Sequence, residues 1–250
     1  MIVQNEVWEH IPLLHVHTNE MTAKNPVAIF IHGFGSAKEH NLHFAYQLVK
    51  KGVRVILPDA HLHGERAKPN TTSQQLEPVF WEIVMRTVGE VELIYKELQN
   101  KGILATNAVS IAGTSMGGIV TVGCLSKYDW IQTAGVCMGA TSYTKFAEHQ
   151  LTQFEKAGVQ LPFTEQQLAE TMTMLSAYNL ENKTNVLQQV PTIFWHGKKD
   201  QVVPFEMSYP YFEKYGENSR SAYIVDDKAG HAVSRVGMLA VTDWLAQHLA

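Results

Sequence analysis

The sequence predicts an α/β fold, in which helices cover both faces of a mostly parallel central sheet. Short apolar runs rich in β-branched residues alternate with longer segments whose apolar residues recur at helical spacing. The connections are short, and this alternation is typical of parallel sheets with crossover helices. With 250 residues and a 45% hydrophobic composition, the chain can bury a substantial core, so we expect one large domain over residues 1–250.

The strands are predicted from apolar runs bounded by turn residues. Residues 2–8 and 11–17 suit an antiparallel edge hairpin. Continuous apolar runs suit strands that are covered on both faces. Such runs follow at residues 27–31, 53–57, 107–112, 133–138, 191–195 and 221–225.

Helix boundaries are predicted from capping residues, prolines and glycines. Ser36 and Glu39 have capping-box spacing and open a helix that closes at Gly52. A second helix extends from Pro78 to about residue 100, and a third from Pro204 to Gly216. The last helix is predicted to turn these residues inward: Val236, Leu239, Ala240, Trp244 and Leu245.

Residues 140–190 interrupt the alternation and are predicted to form a small helical lid within the domain. One helix covers residues 143–156. Thr164 and Gln167 have capping-box spacing and open another helix, which extends to about residue 178. In the alternative interpretation, these helices simply replace one crossover helix.

Charge and cysteine content exclude several classes of function. The net charge of −4 gives no basic surface for nucleic acid and no polybasic anchor for a membrane. No apolar run approaches the ~20 residues of a membrane helix, and the first residues lack the pattern of a signal peptide. Cys124 and Cys137 lie in apolar segments without disulfide or zinc spacing, so we expect free thiols and a cytoplasmic location.

A glycine-flanked serine provides the main chemical signal. Gly113-Thr114-Ser115-Met116-Gly117 lies between a predicted strand and a predicted helix. In a strand–turn–helix context, a Gly-x-Ser-x-Gly match exposes the serine hydroxyl on a strained turn. The glycines are needed because a Cβ would collide as the strand and helix close around the turn. The pattern is weak by itself and gains weight only from partners elsewhere in the chain.

Acyl transfer by a serine requires a base, a group that orients the base and donors for the oxyanion. His231 follows the last predicted strand and is the candidate base. Asp200 follows the preceding strand and is the candidate orienting acid, with Asp226 and Asp227 as competitors. The chain order Ser115, Asp200, His231 is typical of one hydrolase fold.

The oxyanion donors are predicted from two backbone positions. The N–H of Met116 starts the helix behind the serine, and the N–H of Phe34 lies in a glycine-rich loop after an early strand. Gly33, Gly35 and His63 are candidates for contact with the substrate, because their loops should lie at the same end of the sheet.

Three further features of the sequence leave alternatives open. Asp59, His61, His63 and Glu65 superficially resemble a metal-ligand cluster, but no further cluster supports it, so we expect no metal and no cofactor. Glu65 and Arg66 could bind a polar substrate group or form a local ion pair. Aromatic and Met residues of the insert could line an acyl pocket or pack in the core: Tyr143, Phe146, Phe163 and Met172.

Four motifs in order resemble the α/β-hydrolases: residues 32–35, 113–118, 196–204 and 230–231. Among the α/β-hydrolases, the chain is most similar to small bacterial carboxylesterases near the dienelactone-hydrolase and prolyl-oligopeptidase-like families. Residues 32–66 are similar to esterases of the YitV and YjfP type. This resemblance implies a serine carboxylesterase for small to medium esters, acting through an acyl-enzyme intermediate without a cofactor. Dienelactone hydrolases carry a cysteine where this chain has Ser115, which favours ester hydrolysis.

The same serine chemistry would serve other reactions. A thioesterase, a deacetylase or a short-peptide hydrolase would use the same residues, although peptidases of the related branch usually carry a large propeller domain that does not fit in this length. A non-catalytic ligand-binding protein of the same fold is a further alternative. We expect a small-molecule ester as the partner, and a homo-oligomer is possible.

Overall fold

One sheet runs through the computed structural model, which describes residues 1–159, 162–217 and 219–249. In chain order its strands are β1 (Ile2–Trp8), β2 (Ile11–His17), β3 (Val27–Ile31), β4 (Arg54–Pro58), β5 (Val109–Thr114), β6 (Thr133–Cys137), β7 (Thr192–Gly197) and β8 (Ala222–Asp226). Their spatial order is β1-β2-β4-β3-β5-β6-β7-β8. The β1–β2 and β2–β4 pairs are antiparallel, and the other neighbouring pairs are parallel.

The helices alternate with these strands. In chain order they are α1 (Leu42–Lys50), α2 (Ser73–Leu76), α3 (Phe80–Asn100), α4 (Met116–Lys127), α5 (Tyr143–Lys156), α6 (Glu165–Ser176), α7 (Val186–Gln189), α8 (Tyr209–Tyr215) and α9 (Arg235–Leu249). Within the described ranges, no helix has both the length and the apolar character needed to traverse a bilayer.

The central strands of the sheet are buried on both faces, and each face carries its own apolar core. Ile29 and Ile31 of β3 belong to the core shared with α3 and α4. Ala28 and Phe30 of the same strand belong to the core shared with α1 and α9. Successive side chains of a strand point to opposite faces, so both faces of β3 must be apolar, as the continuous run at residues 27–31 predicted.

Several boundaries predicted from the sequence are confirmed. The edge hairpin occupies residues 2–8 and 11–17, and its strands pair antiparallel. Helix α1 is followed by Gly52 at φ +82°, as expected for a helix C-terminus. The capping box before α6 is present, because Thr164 Oγ1 accepts the N–H of Gln167 at 3.2 Å and Gln167 Oε1 accepts the N–H of Thr164 at 2.9 Å.

The predicted capping box at Ser36 and Glu39 is wrong. Residues 38–41 form a 3-10 turn before α1, and the Ser36 hydroxyl pairs with His40. The cause is a distant carboxylate: Asp59 accepts the backbone N–H of Lys38 at 3.0 Å and its ammonium at 2.9 Å. This buried ion pair supplies the partner that a local cap would have supplied.

Two details near the C-terminus also differ from the prediction. The single helix predicted from Pro204 to Gly216 is divided into a 3-10 turn at Phe205–Met207 and helix α8. Val236, predicted to face inward, is 77% exposed, whereas Met238, Val241 and Leu245 carry the buried face of α9. Only one side of α9 packs against the core, and Val236 lies on the opposite side, in the first turn of the helix.

The segment 140–190 lies between β6 and β7 and contains α5, α6 and the short α7. Helix α5 begins at Tyr143, where the Ser142 hydroxyl accepts the N–H of Lys145. Tyr143 is fully buried, and its hydroxyl donates to the Ile119 carbonyl of α4 at 2.7 Å. The segment is therefore anchored to helix α4 through the start of α5.

Glycines allow the first turn of α4 to lie against β3. A Cβ on Gly117 would collide with the carbonyl oxygen of Ile31 and approach its carbonyl carbon to 2.6 Å. A Cβ on Gly113 would lie 2.5 Å from the Gly117 carbonyl oxygen and 2.7 Å from that of Ile31. Real Cβ atoms do not come this close to backbone, so both positions require glycine, for the reason that the motif predicted.

Gly117→Ala should therefore lower the free energy of unfolding by about 2–4 kcal/mol, because the backbone of β3 has to move. Gly89→Ala is the matched control. It lies in the middle of α3 with no atom within 4 Å of a new Cβ, and should raise stability by up to about 1 kcal/mol. Urea denaturation of the two variants measures both effects. Equal effects would contradict the close packing of α4 on β3.

Candidate active site

Ser115 occupies the turn between β5 and α4. Its backbone has φ +56° and ψ −118°, a conformation that costs energy for any residue other than glycine. The turn is held by two hydrogen bonds: the Ser115 N–H donates to the Cys137 carbonyl at 2.8 Å, and the Ser115 carbonyl accepts from Ile119 at 3.0 Å. This anchoring presents the Ser115 hydroxyl at the carboxyl end of the parallel strands, where α/β proteins bind ligands.

The loop after β8 brings His231 to this hydroxyl. His231 Nε2 lies 2.7 Å from Ser115 Oγ, and His231 Nδ1 lies 2.7 Å from Asp200 Oδ2. Because a carboxylate accepts but cannot donate, Nδ1 carries the hydrogen in neutral His231, and Nε2 is left as an acceptor for the serine proton. The arrangement can deprotonate Ser115 as it attacks an electrophile.

Asp200 is held as an ionised carboxylate in the loop after β7. Its side chain is fully buried, and Oδ1 accepts the N–H groups of Val202 and Val203 at 2.9 and 3.0 Å. Burial raises the pKa of Asp200, but hydrogen bonds from His196 and His231 outweigh this effect and hold the pKa well below its usual value. The negative charge facing His231 is thus permanent near neutral pH.

The competing carboxylates have other partners. Asp226 accepts the N–H groups of Lys228 and Ala229, each at 3.1 Å, and so shapes the turn that leads to His231. Asp227 is exposed and pairs with Lys198 at 3.3 Å. Of the three carboxylates weighed from the sequence, Asp200 is the one that the structure brings to the imidazole.

His196 supports Asp200 from behind, a function that the sequence pattern did not reveal. Its ring is buried, with Nε2 2.8 Å from the Val203 carbonyl and 3.5 Å from Asp200 Oδ2. Its Nδ1 lies 3.1 Å from the Ser208 hydroxyl, which is 2.8 Å from the Tyr223 hydroxyl. The available signal was the four-residue spacing between His196 and Asp200, which places both at the end of one strand.

The predicted oxyanion donors line the same pocket as Ser115. Phe34 follows β3, and Met116 begins α4. Among the hydrogen bonds of the described residues, neither the Phe34 N–H nor the Met116 N–H is paired with a protein acceptor. Gly33 packs against the turn, since a Cβ there would lie 3.5 Å from Ser115 Cβ. Two free donors beside a nucleophile are the arrangement that stabilises an oxyanion.

The loop that carries Phe34 is held by two buried histidines, His32 and His63. His32 Nδ1 donates to the Gly33 carbonyl at 2.8 Å, and Nε2 accepts the N–H of Ala60 at 3.0 Å. A ring nitrogen that accepts an N–H is unprotonated, so this imidazole is neutral. Burial lowers the pKa of His32 to about 4.

His63, predicted to contact substrate, lies behind the loop. It is 3% exposed, its Nε2 accepts the N–H of Gly35 at 3.0 Å, and its Nδ1 donates to the His61 carbonyl at 2.8 Å. Burial lowers its pKa. Gly35 has φ +69°, and a Cβ there would lie 2.6 Å from the Ser73 hydroxyl, so glycine is required by the turn. Both residues position the backbone next to Phe34.

The residues of the metal-like cluster are occupied by contacts within the protein. The Lys38 ammonium, itself buried, binds Asp59 at 2.9 Å and Glu65 at 2.7 Å. Arg66 pairs with the distant Glu90 through two hydrogen bonds of 2.7 and 2.6 Å, so Glu65 and Arg66 each form an ion pair with a residue far away in the chain instead of the local pair weighed from the sequence. In the described part of the chain, no group of three or more His, Cys, Asp or Glu residues could hold a metal ion.

The pocket over Ser115 has a volume of about 240 Å³. Helix α5 supplies one wall, which includes Phe146, His149 and Gln153. Of the four candidates for an acyl pocket, Phe146 lines this pocket, Phe163 and Met172 line a neighbouring cavity, and Tyr143 is part of the buried core. Helix α5 therefore lines the pocket that contains Ser115.

The parallel sheet, the serine on a positive-φ turn and the order of its partners along the chain define an α/β-hydrolase with serine hydrolase machinery. Comparison with known proteins agrees. Residues 86–250 match the model of the prolyl oligopeptidase family, and the chain belongs to that family.

The names of two sequence relatives describe esterases. The chain is 36% identical over 253 residues to "Putative esterase YitV" of Bacillus subtilis (strain 168), with 99% of each chain covered. It is 25% identical over 246 residues to esterase YjfP of Escherichia coli (strain K12), with 96% of each covered. The prediction of a serine ester hydrolase is confirmed by these comparisons.

The fold is shared with solved structures of low sequence identity. TT1662 from Thermus thermophilus superposes with a TM-score of 0.75 at 19% identity, covering 100% of this chain and 99% of that one. Acetyl xylan esterase 1 from Thermoanaerobacterium sp. JW/SL YS485 gives a TM-score of 0.67 at 16% identity, covering 96% and 80%. These likenesses confirm the α/β-hydrolase fold.

The neutral buried histidines predict that stability falls as the pH is lowered from about 6.5 to 4. In this window the unfolded state binds a proton at His32 that the folded state does not bind, because the pKa is about 4 when folded and 6.5 when unfolded. His32 alone should contribute a loss of about 2–3 kcal/mol between pH 7 and pH 4.5. Urea denaturation across this pH range measures the loss.

His32→Asn should give a shallower pH dependence than the native chain. His10→Asn is the matched control: His10 is exposed and has φ +64°, which asparagine tolerates, so the slope should be unchanged. A native profile that is flat from pH 7 to pH 4.5 would contradict a buried, neutral His32.

Proposed function

We propose that this chain hydrolyses small to medium carboxylic esters with Ser115 as nucleophile, His231 as general base and Asp200 as the group that orients the base. The observation that carries the proposal is the continuous series of hydrogen bonds from Asp200 through His231 to Ser115, with both distances at 2.7 Å. The series ends at a hydroxyl on a positive-φ turn, beside two unpaired N–H groups.

In the first half of the reaction, Ser115 Oγ attacks the ester carbonyl carbon while His231 Nε2 accepts the serine proton. The carbonyl oxygen becomes an oxyanion, and the N–H groups of Phe34 and Met116 donate to it. The start of α4 adds the positive end of a helix dipole at the same place. Asp200 stabilises the imidazolium that forms.

The intermediate then collapses. The C–O bond to the alcohol breaks, and His231 Nε2 returns its proton to the leaving alkoxide, which leaves an ester between Ser115 Oγ and the acyl group. A water molecule attacks this acyl-enzyme with His231 again acting as base, and the acid is released with Ser115 regenerated. No cofactor is required at any step.

Backbone support explains the remaining predicted site residues. We assign Gly33 and Gly35 to the shape of the loop that carries the Phe34 N–H, and His63 to its support rather than to substrate contact. The bond from the Gly35 N–H to His63 Nε2 and the burial of His63 favour this assignment. Preorganised donors cost no rearrangement when the oxyanion develops.

We propose that residues 140–190 act as a lid within a single hydrolase domain, because α5 lines the pocket over Ser115. A cytoplasmic location is proposed on the free, buried Cys124 and Cys137, whose thiol pKa values are raised by burial. A homo-oligomer stays a prediction.

Thioesters, acetylated amines and short peptides present the same electrophilic carbonyl, so hydrolysis of these substrates is the second candidate function. Values of kcat/KM on matched ester, thioester and amide substrates with one acyl group separate these activities. Binding of such compounds without turnover of any would instead indicate a non-catalytic binding protein.

Ser115→Ala tests the proposal directly. Loss of the nucleophile should lower kcat for an activated ester by about 10⁴–10⁶-fold. Ser110→Ala is the matched control on β5, the strand that leads to Ser115, since the Ser110 hydroxyl is buried and has no hydrogen-bond partner among the described residues. The control should retain full activity. Wild-type kcat in Ser115→Ala would rule out the assigned nucleophile.

A further inference from the structure

A second cavity lies beside the catalytic pocket, between the start of α3 and helices α5 and α6. Its volume is about 360 Å³. We propose that this cavity binds an extended, uncharged apolar chain of the ester, so that the enzyme favours esters with one long apolar chain over acetates. The inference rests on the function proposed above and specifies its substrate class.

The two cavities lie side by side and share part of their lining. Glu77, Phe80, Gln150 and Phe154 line both of them. A chain that extends from the carbonyl carbon at Ser115 towards these four side chains is directed at the second cavity.

An aromatic wall runs along the same path. The ring of Phe34, in the oxyanion loop, lies 5.5 Å from that of Phe80, which lies 5.2 Å from that of Trp81; both contacts are edge-to-face. Phe34 lines the catalytic pocket, Phe80 lines both cavities, and Trp81 lines the second cavity. Packed rings give a chain a continuous apolar surface from the reaction centre outward.

The lining of the second cavity selects for apolar, uncharged groups. It is mainly aliphatic, aromatic and Met, with Met85, Leu151 and Met172 among its members. Each methylene group that leaves water for such a lining strengthens binding by about fourfold. The charged members are Glu77 and Glu82, and none of the lining residues is Lys, Arg or His. Glu82 is paired with Arg86 at 3.0 Å, so a chain ending in a carboxylate would be repelled chiefly by Glu77.

Two large apolar side chains that line this cavity are exposed to solvent. Phe163 is 39% exposed and Met174 is 52% exposed, and both are lining residues. Exposed apolar side chains that surround a concavity are typical of a binding site, and flexible Met residues adapt to chains of different shape. An apolar chain bound here would cover surface that the folded chain leaves uncovered.

The apolar chain could belong to either half of the ester, the acid or the alcohol. Two substrate series distinguish these sources. One series varies the acyl group of p-nitrophenyl esters from acetate through butyrate and octanoate to laurate. The other varies the alcohol of acetate esters from ethanol to octanol. In one of the two series, kcat/KM should rise by about tenfold or more with chain length.

Met172→Trp fills the cavity from α6 without touching the catalytic pocket, because Met172 lines the second cavity and not the first. The variant should lower kcat/KM for the long-chain ester by about 10–100-fold and leave the short acetate within about twofold. Thr173→Trp, on the exposed side of the same helix, is the matched control and should leave both substrates unchanged. Leu168→Trp, one helical turn away, serves as a second cavity-filling variant if Met172→Trp does not fold.

The outcomes separate this inference from the proposed function. Absence of hydrolysis of every ester in both series by the native chain would sink the esterase proposal. Normal acetate hydrolysis with no gain from chain length in either series would overturn the apolar-chain site alone. If kcat/KM rises with chain length and Met172→Trp and Leu168→Trp leave this rise intact, the apolar-chain site is overturned as well, because the chain then binds outside this cavity.

Discussion

The close approach of the first turn of α4 to the end of β3 is the constraint on which the site depends. Gly113 and Gly117 remove the Cβ atoms that would separate these elements from the Ile31 carbonyl. With the helix this close, the chain turns from β5 into α4 within one residue, and Ser115 takes the positive φ. Met116, the first residue of α4, lines the same pocket as Ser115. The positions of the proposed nucleophile and of one proposed oxyanion donor thus follow from one packing contact.

Buried polar groups then hold the Phe34 loop and Asp200 in position around Ser115. His32 and His63 act as neutral acceptors and donors that brace the Phe34 loop, and the buried pair of Lys38 and Asp59 joins that loop to the one after β4. His196 and the backbone N–H groups of Val202 and Val203 hold the Asp200 carboxylate in place. Breaking one partner of such a network leaves a buried polar group unsatisfied, so these groups give the site rigidity more than they give it net stability.

The sequence was most informative where a backbone constraint or a strand end selects the residue type. The sequence alone identified the glycines around Ser115, because the close turn excludes a Cβ there. It also identified Asp200 and His231, because they follow consecutive strands and parallel strands bring their carboxyl ends together. The supporting contacts could not be predicted, since they join positions far apart in the chain. Asp59 displaced the local cap expected at Ser36, and His63 turned towards Gly35 instead of the pocket. The cavity beside Phe80 depends on how α5 and α6 pack on α3, which periodicity does not determine.

The central claim is that Ser115 is an activated nucleophile, and labelling with a fluorophosphonate tests it most directly. Such a probe reacts covalently with a serine that has a working base and oxyanion donors. Intact-protein mass followed by peptide mapping should show a single adduct, located on Ser115, in the folded native chain. A folded chain that acquires no adduct, or one that carries it on another residue, would contradict the assignment of Ser115 as the nucleophile.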